Sequence, residues 1–190
     1  QVRAVRPRLD DGSGAERVAG VAEELRWDDA SIVVNLQGDE PLIPPTLPGR
    51  IARALTANPS AGLATAAAPI ATCASYLDEN VVKVCLDQFQ FALTFSRAPM
   101  PWLRGKMNDL TDKRVRALGA LHHIGLYAYR VRTLRLLSET KPCALEEVES
   151  LEQLRALHLG IQIHVSLLQE APPPGIDTPE DLARARAGFE

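Results

Sequence analysis

The sequence predicts an α/β domain of three layers, in which helices cover both faces of a mostly parallel sheet. Short β-branched runs alternate with amphipathic helices in the first part of the chain, as they do where parallel strands are joined by crossover helices. A segment with hairpin-like strands follows, and we expect it to be an insertion of mixed structure. The 190 residues suffice for one core, and no repeat or second boundary divides them, so residues 1–190 are assigned to a single domain.

The first predicted element is a helix over 14–26. Ser13 and Glu16 have the spacing of a capping box, and Val18, Val21 and Leu25 recur behind them at helical spacing. A buried strand, a polar turn, a second helix and a second strand are then predicted, at 31–36, 37–41, 46–58 and 62–69.

The second half of the chain alternates less regularly. Two extended runs predict a hairpin whose turn, Asp87 to Gln90, lacks the usual glycine. The stretch 96–117 is expected to be irregular. The remaining prediction is a strand, a short helix, a longer helix, a strand and a last helix capped by Thr178, the first four at 123–129, 131–139, 144–158 and 161–168.

Composition excludes several classes of function. The net charge of −3 gives no electrostatic basis for binding nucleic acid. No apolar run approaches the ~20 residues that cross a bilayer, and the first ten residues do not resemble a signal peptide. The three cysteines are widely spaced and form neither a metal motif nor a disulfide framework. The cytoplasm is therefore the expected compartment.

Two aspartates are candidates for holding a metal ion. Asp39 follows a hydrophobic strand in a glycine-containing loop, where open α/β sheets place ligands and a carboxylate can hold a divalent cation against phosphate. Asp177 follows a Pro-Gly loop and precedes a helix. Each has a plainer interpretation, since Asp39 could cap a turn and Asp177 could be an acid at a helix start.

Polar residues on a predicted strand and helix could bind a hydroxyl-rich ligand. His123 and Tyr127 are four apart on a strand and share a face, although half-buried packing explains them as well. Glu152 and Gln153 lie in an acidic helix, where a solvated face is the default interpretation. With no phosphate-binding loop and no dinucleotide fingerprint, the residue patterns alone indicate an α/β enzyme with an acidic phosphate-metal site.

Taken together, several segments resemble the CMP-Kdo synthetases, the 3-deoxy-manno-octulosonate (Kdo) cytidylyltransferases. They occur in the family's order over nearly the whole chain, and the most specific are HIGLYAYR, LEQLR and GIDTPEDL. The other matching segments are SGAER, VVNLQGDEPLIP, NVVKVCLD and FSRAPMPW. The resemblance implies a nucleotide-diphospho-sugar transferase fold with a nucleotide-binding sheet.

The resemblance also implies a reaction and a set of roles. CTP and Kdo would give CMP-Kdo and pyrophosphate, with Mg²⁺ as cofactor, in a cytoplasmic homodimer that serves lipopolysaccharide biosynthesis. Asp39 and Asp177 match catalytic metal ligands. The residues that match the sugar site are Gln37, His123, Tyr127, Glu152 and Gln153. Those that match the cytidine pocket are Ser13, Gly14 and Arg17.

The resemblance leaves departures and alternatives. The family begins with a strand and a glycine-containing loop that wraps the CTP phosphates, and this segment is not in the sequence, so we expect the chain to start inside the domain. Ala15 stands where the family usually has Thr, and Asp11 where it often has His. Two alternatives remain: a synthetase for another acidic sugar such as a sialic acid, and an inactive remnant that binds sugar or dimerises.

Overall fold

Helices and strands alternate along the part of the chain that the structure describes. The structure is a computed structural model, and it describes residues 14–38, 40–173, 175, 176, 182, 183 and 186. The helices are α1 (Gly14–Glu24), α2 (Leu47–Ala57), α3 (Cys73–Leu77), α4 (Asp112–Leu118), α5 (Val131–Glu139), α6 (Ala144–Glu149) and α7 (Gln153–His158), with a 3₁₀ turn at Met107–Asp109. The strands are β1 (Ile32–Asn35), β2 (Ala61–Pro69), β3 (Lys83–Leu86), β4 (Ala92–Ser96), β5 (Leu121–Arg130) and β6 (Gln162–Leu167).

The six described strands form one sheet in the order β4-β3-β5-β2-β6, and β1 also pairs with β5. Strands β1, β2 and β3 are each antiparallel to β5, whereas β6 is parallel to β2. Four of the six described strands therefore run in one direction, against β5 and β4. The carboxyl ends of β1 and β6 consequently lie at the same edge of the sheet, where open α/β sheets bind ligands.

Helices cover both faces of the sheet, as a three-layer domain requires. On one face, Ile51 and Leu55 of α2 pack against Leu126 of β5. On the other face, a second cluster joins α1, α5 and α7 to the sheet through small and branched side chains. Its members include Ala15, Ala19, Leu63, Leu134, Leu137, Leu154 and Ile163. The predicted fold class is confirmed.

The inserted segment contains the predicted hairpin, β3 paired with β4. Its turn needs no glycine because Gln90 itself adopts a left-handed conformation, with φ of 65°. The Asp87 carboxylate stabilises the turn by accepting hydrogen bonds from the backbone N–H groups of Phe89 and Phe91, both at 2.8 Å. The stretch 96–117, predicted to be irregular, also contains most of α4, which Thr111 caps.

The predicted helix over 144–158 is wrong, because the chain forms two short helices there. Ser150 breaks it by taking a left-handed conformation, with φ of 51°. The apolar spacing of Leu145, Val148, Leu151 and Leu154 predicts one buried face for this helix, but Leu145 is 61% and Val148 84% exposed. Glu146 points inward instead, where it meets Arg155.

Two expectations drawn from composition can be compared with this structure. The thiols of Cys73, Cys85 and Cys143 are all free. Across the described ranges, none of the helices combines the length and the apolar character that a membrane span requires.

Candidate active site

The start of α1 touches the loop that follows β1. A Cβ atom placed on Gly14 would lie 3.4 Å from both Asn35 Nδ2 and Gln37 Nε2, and 4.0 Å from Arg17 Nη2. Asn35 is the last residue of β1, so the loop leaves the sheet directly beside the first turn of the helix. Three of the predicted site residues, Gly14, Arg17 and Gln37, are therefore neighbours.

A hydrogen bond connects this group to α7, more than one hundred residues further along the chain. The backbone N–H of Gly14 donates to Glu152 Oε1 at 3.2 Å. The first N–H groups of a helix have no partner inside the helix, and a carboxylate is favoured there by the helix dipole. Glu152 therefore links the segment expected to bind cytidine with the segment expected to bind the sugar.

His123 is buried, with 7% of its surface exposed. Its Nε2 atom lies 3.0 Å from the Thr65 hydroxyl, and its ring makes a T-shaped contact with the ring of Phe95, with centroids 5.0 Å apart. Burial, together with the nearby His122, lowers the pKa of His123 from 6.5 to about 3. The ring is consequently neutral at physiological pH.

Two tyrosines extend this aromatic cluster along β5. The Tyr127 ring lies 5.3 Å from His123 and 5.6 Å from Tyr129, measured between centroids. Burial raises the pKa of Tyr127 well above its usual value, and the charge on Glu152 contributes to the same shift. Burial raises the pKa of Tyr129 as well, so both phenols keep their protons. Tyr127 also pairs with Asn35 across β1 and β5, which places the cluster next to the loop that carries Gln37.

Gln153, at the start of α7, is also buried, at 7% exposure. Its Nε2 atom has no hydrogen-bond partner in the described part of the chain. A buried amide without a partner costs free energy, so natural proteins usually satisfy such groups or use them to bind a ligand. The default prediction of a solvated face is correct for the exposed Glu152 but wrong for Gln153.

Residue patterns did not identify two polar residues that organise the site. Thr65 is completely buried in β2, and its hydroxyl contacts His123. Arg155 forms a buried ion pair with Glu146, its Nε lying 2.7 Å from Oε2, and it reaches Glu16 of α1 at 3.4 Å. Thr65 was detectable as the one polar side chain in the alanine-rich run GLATAAAP. Arg155 is in the LEQLR segment but has no periodic signal of its own.

Three predicted site residues, Ser13, Asp39 and Asp177, lie outside the described residues, so their roles stay predictions. The flanking described chain can be placed. An Arg50 Nη2 atom donates to the carbonyl of Leu167, at the end of β6, so α2, which follows the β1 loop, contacts the end of β6. Among the described residues, no group of three or more His, Cys, Asp or Glu side chains could hold a metal ion.

Comparison with known proteins identifies the family of this chain. The sequence profile of the cytidylyltransferase family matches residues 1–163. The chain is 49% identical to the 3-deoxy-manno-octulosonate cytidylyltransferase of Pseudomonas syringae pv. syringae over 183 residues, which is 96% of this chain and 72% of that protein. The enzyme of the same name from Thioalkalivibrio sulfidiphilus is 49% identical over 172 residues, 90% of this chain and 68% of that protein.

Solved structures give the same result. A CMP:2-keto-3-deoxy-manno-octonic acid synthetase complexed with CTP superposes with a TM-score of 0.84 at 34% identity, covering 98% of this chain and 72% of that one. A more distant thymidylyltransferase-like protein from Bacillus anthracis, described as a putative glucose-1-phosphate thymidylyltransferase, has a TM-score of 0.56 at 16% identity, covering 96% of this chain and 63% of that one, and shares the fold alone. The chain belongs to the cytidylyltransferase family of nucleotidyltransferases.

Proposed function

We propose that this chain transfers CMP from CTP to Kdo, releasing pyrophosphate. The observation that carries the proposal is the hydrogen bond from Gly14 to Glu152, because it brings the expected nucleotide segment and the expected sugar segment into one site. The relatives at 49% identity carry the name of this activity, and the structural relative at 34% identity is a complex with CTP.

The sugar would lie against the β5 cluster and the start of α7. Neutral His123 and the protonated Tyr127 can each exchange hydrogen bonds with hydroxyl groups, and Gln37 can reach the same region from the β1 loop. Gln153 supplies a buried amide without a partner, which a sugar oxygen would satisfy. Glu152 can accept hydrogen bonds from sugar hydroxyls while it holds Gly14.

The nucleotide would lie at the start of α1, where Ser13, Gly14 and Arg17 match the family's cytidine pocket. The described part of this segment is consistent with such a role, since Arg17 is exposed at the first turn of α1. A guanidinium can bind phosphate or base oxygens through several N–H groups.

Magnesium is the proposed cofactor, and Asp39 and Asp177 would hold it. Their carboxylates are the hard oxygen donors that Mg²⁺ prefers. They follow β1 and β6, whose carboxyl ends share one edge of the sheet, and this topology favours a joint site. When bound, the ion would offset the negative charge on the phosphates.

The reaction itself is an in-line displacement. The anomeric hydroxyl oxygen of Kdo forms a bond to the α-phosphorus of CTP while the bond to the pyrophosphate oxygen breaks, and the hydroxyl proton passes to solvent. The contribution of the chain's own residues is to orient the two substrates. His123, neutral because its pKa is about 3, acts as a hydrogen-bonding group and not as a cationic acid.

The biological setting is part of the same proposal. Cytoplasmic CMP-Kdo would serve lipopolysaccharide synthesis. The proposed protein partner is a second copy of the chain. Leu145 and Val148 of α6 are 61% and 84% exposed and provide apolar surface that another copy would cover.

Pyrophosphate release tests the proposed reaction directly. The chain would be assayed with CTP, Kdo and Mg²⁺ beside a version extended at its amino terminus with the family's phosphate loop. Release that requires both substrates, in either version, supports the proposal. Release with a sialic acid but not with Kdo would replace the proposed substrate, and release with neither sugar would favour an inactive sugar-binding remnant.

Replacement of Asp39 tests the proposed metal site. In the version that shows turnover, Asp39→Asn is expected to reduce pyrophosphate release by at least ~100-fold, since a neutral amide holds Mg²⁺ far more weakly than a carboxylate. The matched control is Asp109→Asn, which neutralises an aspartate whose side chain is 71% exposed. Turnover within twofold of the control would contradict the metal assignment.

A further inference from the structure

The contacts of Thr65 determine the chemistry of the neighbouring His123. Thr65 lies in β2 with no exposed surface. Its hydroxyl oxygen is 2.9 Å from the carbonyl oxygens of Ile124 and Leu126, and 3.0 Å from His123 Nε2. A hydroxyl group has one proton and two lone pairs. The hydroxyl therefore cannot donate to all three groups, and it must accept from at least one of them.

The backbone explains why the two carbonyls are near Thr65. The β2–β5 register runs from Ala64 opposite Ala128 to Ala66 opposite Ile124, so β5 has two extra residues across from Thr65. Such a bulge interrupts the ladder and leaves backbone groups without their usual partners. A carbonyl oxygen can only accept a hydrogen bond, so the Thr65 hydroxyl directs its one proton towards these two carbonyls.

The direction of the remaining hydrogen bond follows. Because the Thr65 proton is directed at a backbone carbonyl, the hydroxyl oxygen can only accept from His123 Nε2. The ring must then carry its proton on Nε2. The neutral state of the ring leaves Nδ1 without a proton, so that Nδ1 can only accept a hydrogen bond.

We propose that Thr65 is a positioning residue that holds His123 as its Nε2–H tautomer, so that Nδ1 accepts a hydrogen bond from a hydroxyl group of the acidic sugar. The inference rests on the proposed function for the identity of the ligand. The tautomer follows from the Thr65 contacts and from the neutral state of the buried ring, and does not depend on the identity of the ligand. Edge-on Phe95 and tilted Tyr127, with centroids 5.0 and 5.3 Å from the ring, limit rotation of the imidazole and preserve this orientation.

Nitrogen-15 NMR of the histidine side chains tests the tautomer without any need for turnover. The chain has four histidines, and loss of one set of signals in His123→Gln assigns the ring. The wild-type chain and Thr65→Ser are expected to show a proton on Nε2 and none on Nδ1. Thr65→Val, which keeps the shape but removes the hydroxyl, is expected to give a mixture or the Nδ1–H form. A proton on Nδ1 in the wild type would overturn the proposal, even if the valine variant failed to fold.

Titration with Kdo alone provides the second measurement. Thr65→Val is expected to weaken Kdo binding about tenfold, while Thr65→Ser stays within about twofold of the wild type. Affinity for CTP should be unchanged in both variants, as a general loss of structure would not allow. Equal Kdo affinity in all three proteins would overturn the role of Thr65. A wild-type chain that binds no Kdo at all would overturn the proposed substrate, while the NMR spectra would still decide the tautomer.

Discussion

Two buried polar clusters lie on the same side of the sheet, one built from paired charges and the other from neutral groups. In the charged cluster, Arg155 of α7 faces Glu146 of α6 and Glu16 of α1 and donates to two carbonyls near the end of α5. In the neutral cluster, His123 meets the hydroxyl of Thr65 and the ring of Tyr127. A buried charge is tolerated when an opposite charge is paired with it. A buried ionisable group without such a partner shifts its pKa and stays neutral instead.

The difference between the clusters corresponds to a difference in role. The ion pair satisfies the buried guanidinium of Arg155 and connects four helices, so its main role is to hold the fold together. The neutral cluster lies close enough to Glu152 for that carboxylate to raise the pKa of Tyr127, and its histidine and tyrosine can bind hydroxyl groups. The charged cluster therefore acts mainly on stability, whereas the neutral cluster offers hydrogen-bonding groups to a substrate.

Removal of one charge from the ion pair should have the largest effect. Glu146→Gln leaves Arg155 buried without its main carboxylate, and we expect a loss of about 3–5 kcal/mol in the free energy of unfolding. Asp109→Asn is the matched control, because it breaks the exposed pair with Arg114, at 3.7 Å, and should cost less than about 1 kcal/mol. Urea denaturation of both variants measures the difference. Equal losses of unfolding free energy in the two variants would show that the buried pair contributes no more to stability than the surface pair.

Acid should weaken the fold through the neutral cluster. The pKa of His123 is about 3 in the folded chain and 6.5 in the unfolded chain, so between these values the unfolded state binds the additional proton. Stability from the neutral ring is complete above pH 6.5 and is lost as the pH falls towards 3. Between pH 7 and 5 this amounts to about 2 kcal/mol.

Denaturation of the wild type and His123→Gln at both pH values checks this expectation. Burial lowers the pKa of His122 and His164 as well, so part of the acid sensitivity should remain in the variant. An unchanged pH dependence in His123→Gln would mean that the ring binds a proton equally well in the folded and unfolded chain, and the contrast between the two clusters would fail.

The smallest expected effect on stability concerns Gln153. Gln153→Leu removes a buried amide without a partner and should raise the free energy of unfolding by about 1 kcal/mol, while weakening Kdo binding at least ~10-fold. Gln162→Leu, at an exposed position on β6, is the control and should do neither. A variant that loses stability and keeps its affinity for Kdo would remove Gln153 from the sugar site.

Sequence patterns predicted the elements whose signals are local. The strand over 31–36 and the helix over 46–58 were identified within a residue or two, because branched and periodic apolar residues determine both. The break at Ser150 was not predictable in this way. Arg97, just after β4, donates from Nε to the carbonyl of Glu149 at 2.7 Å and from Nη2 to that of Ser150 at 3.4 Å. A contact between residues so far apart in the sequence produces no periodic pattern near Ser150.

The site could be predicted only as a set of separate candidates. Resemblance named Gly14 and Glu152, but their hydrogen bond depends on how α7 packs against α1. The role of Thr65 depends on a shift in register between β2 and β5, and register is decided by pairing over long distances. Residue type indicated which side chains could bind a ligand or react, whereas strand pairing and helix packing determined which of them are in contact.

The central position of β5 affects how the protein is made. Three strands that precede β5 in the chain, β1, β2 and β3, pair with it. Strand β1 meets residues 127–130, almost one hundred positions later. A ribosome that adds about 5–20 residues per second needs roughly 3–12 s to proceed from the end of β2 to the end of β5. During this interval the newly made strands have open edges, which are sites of aggregation. Chaperone dependence in the cell should therefore be greatest for nascent chains that end before residue 130.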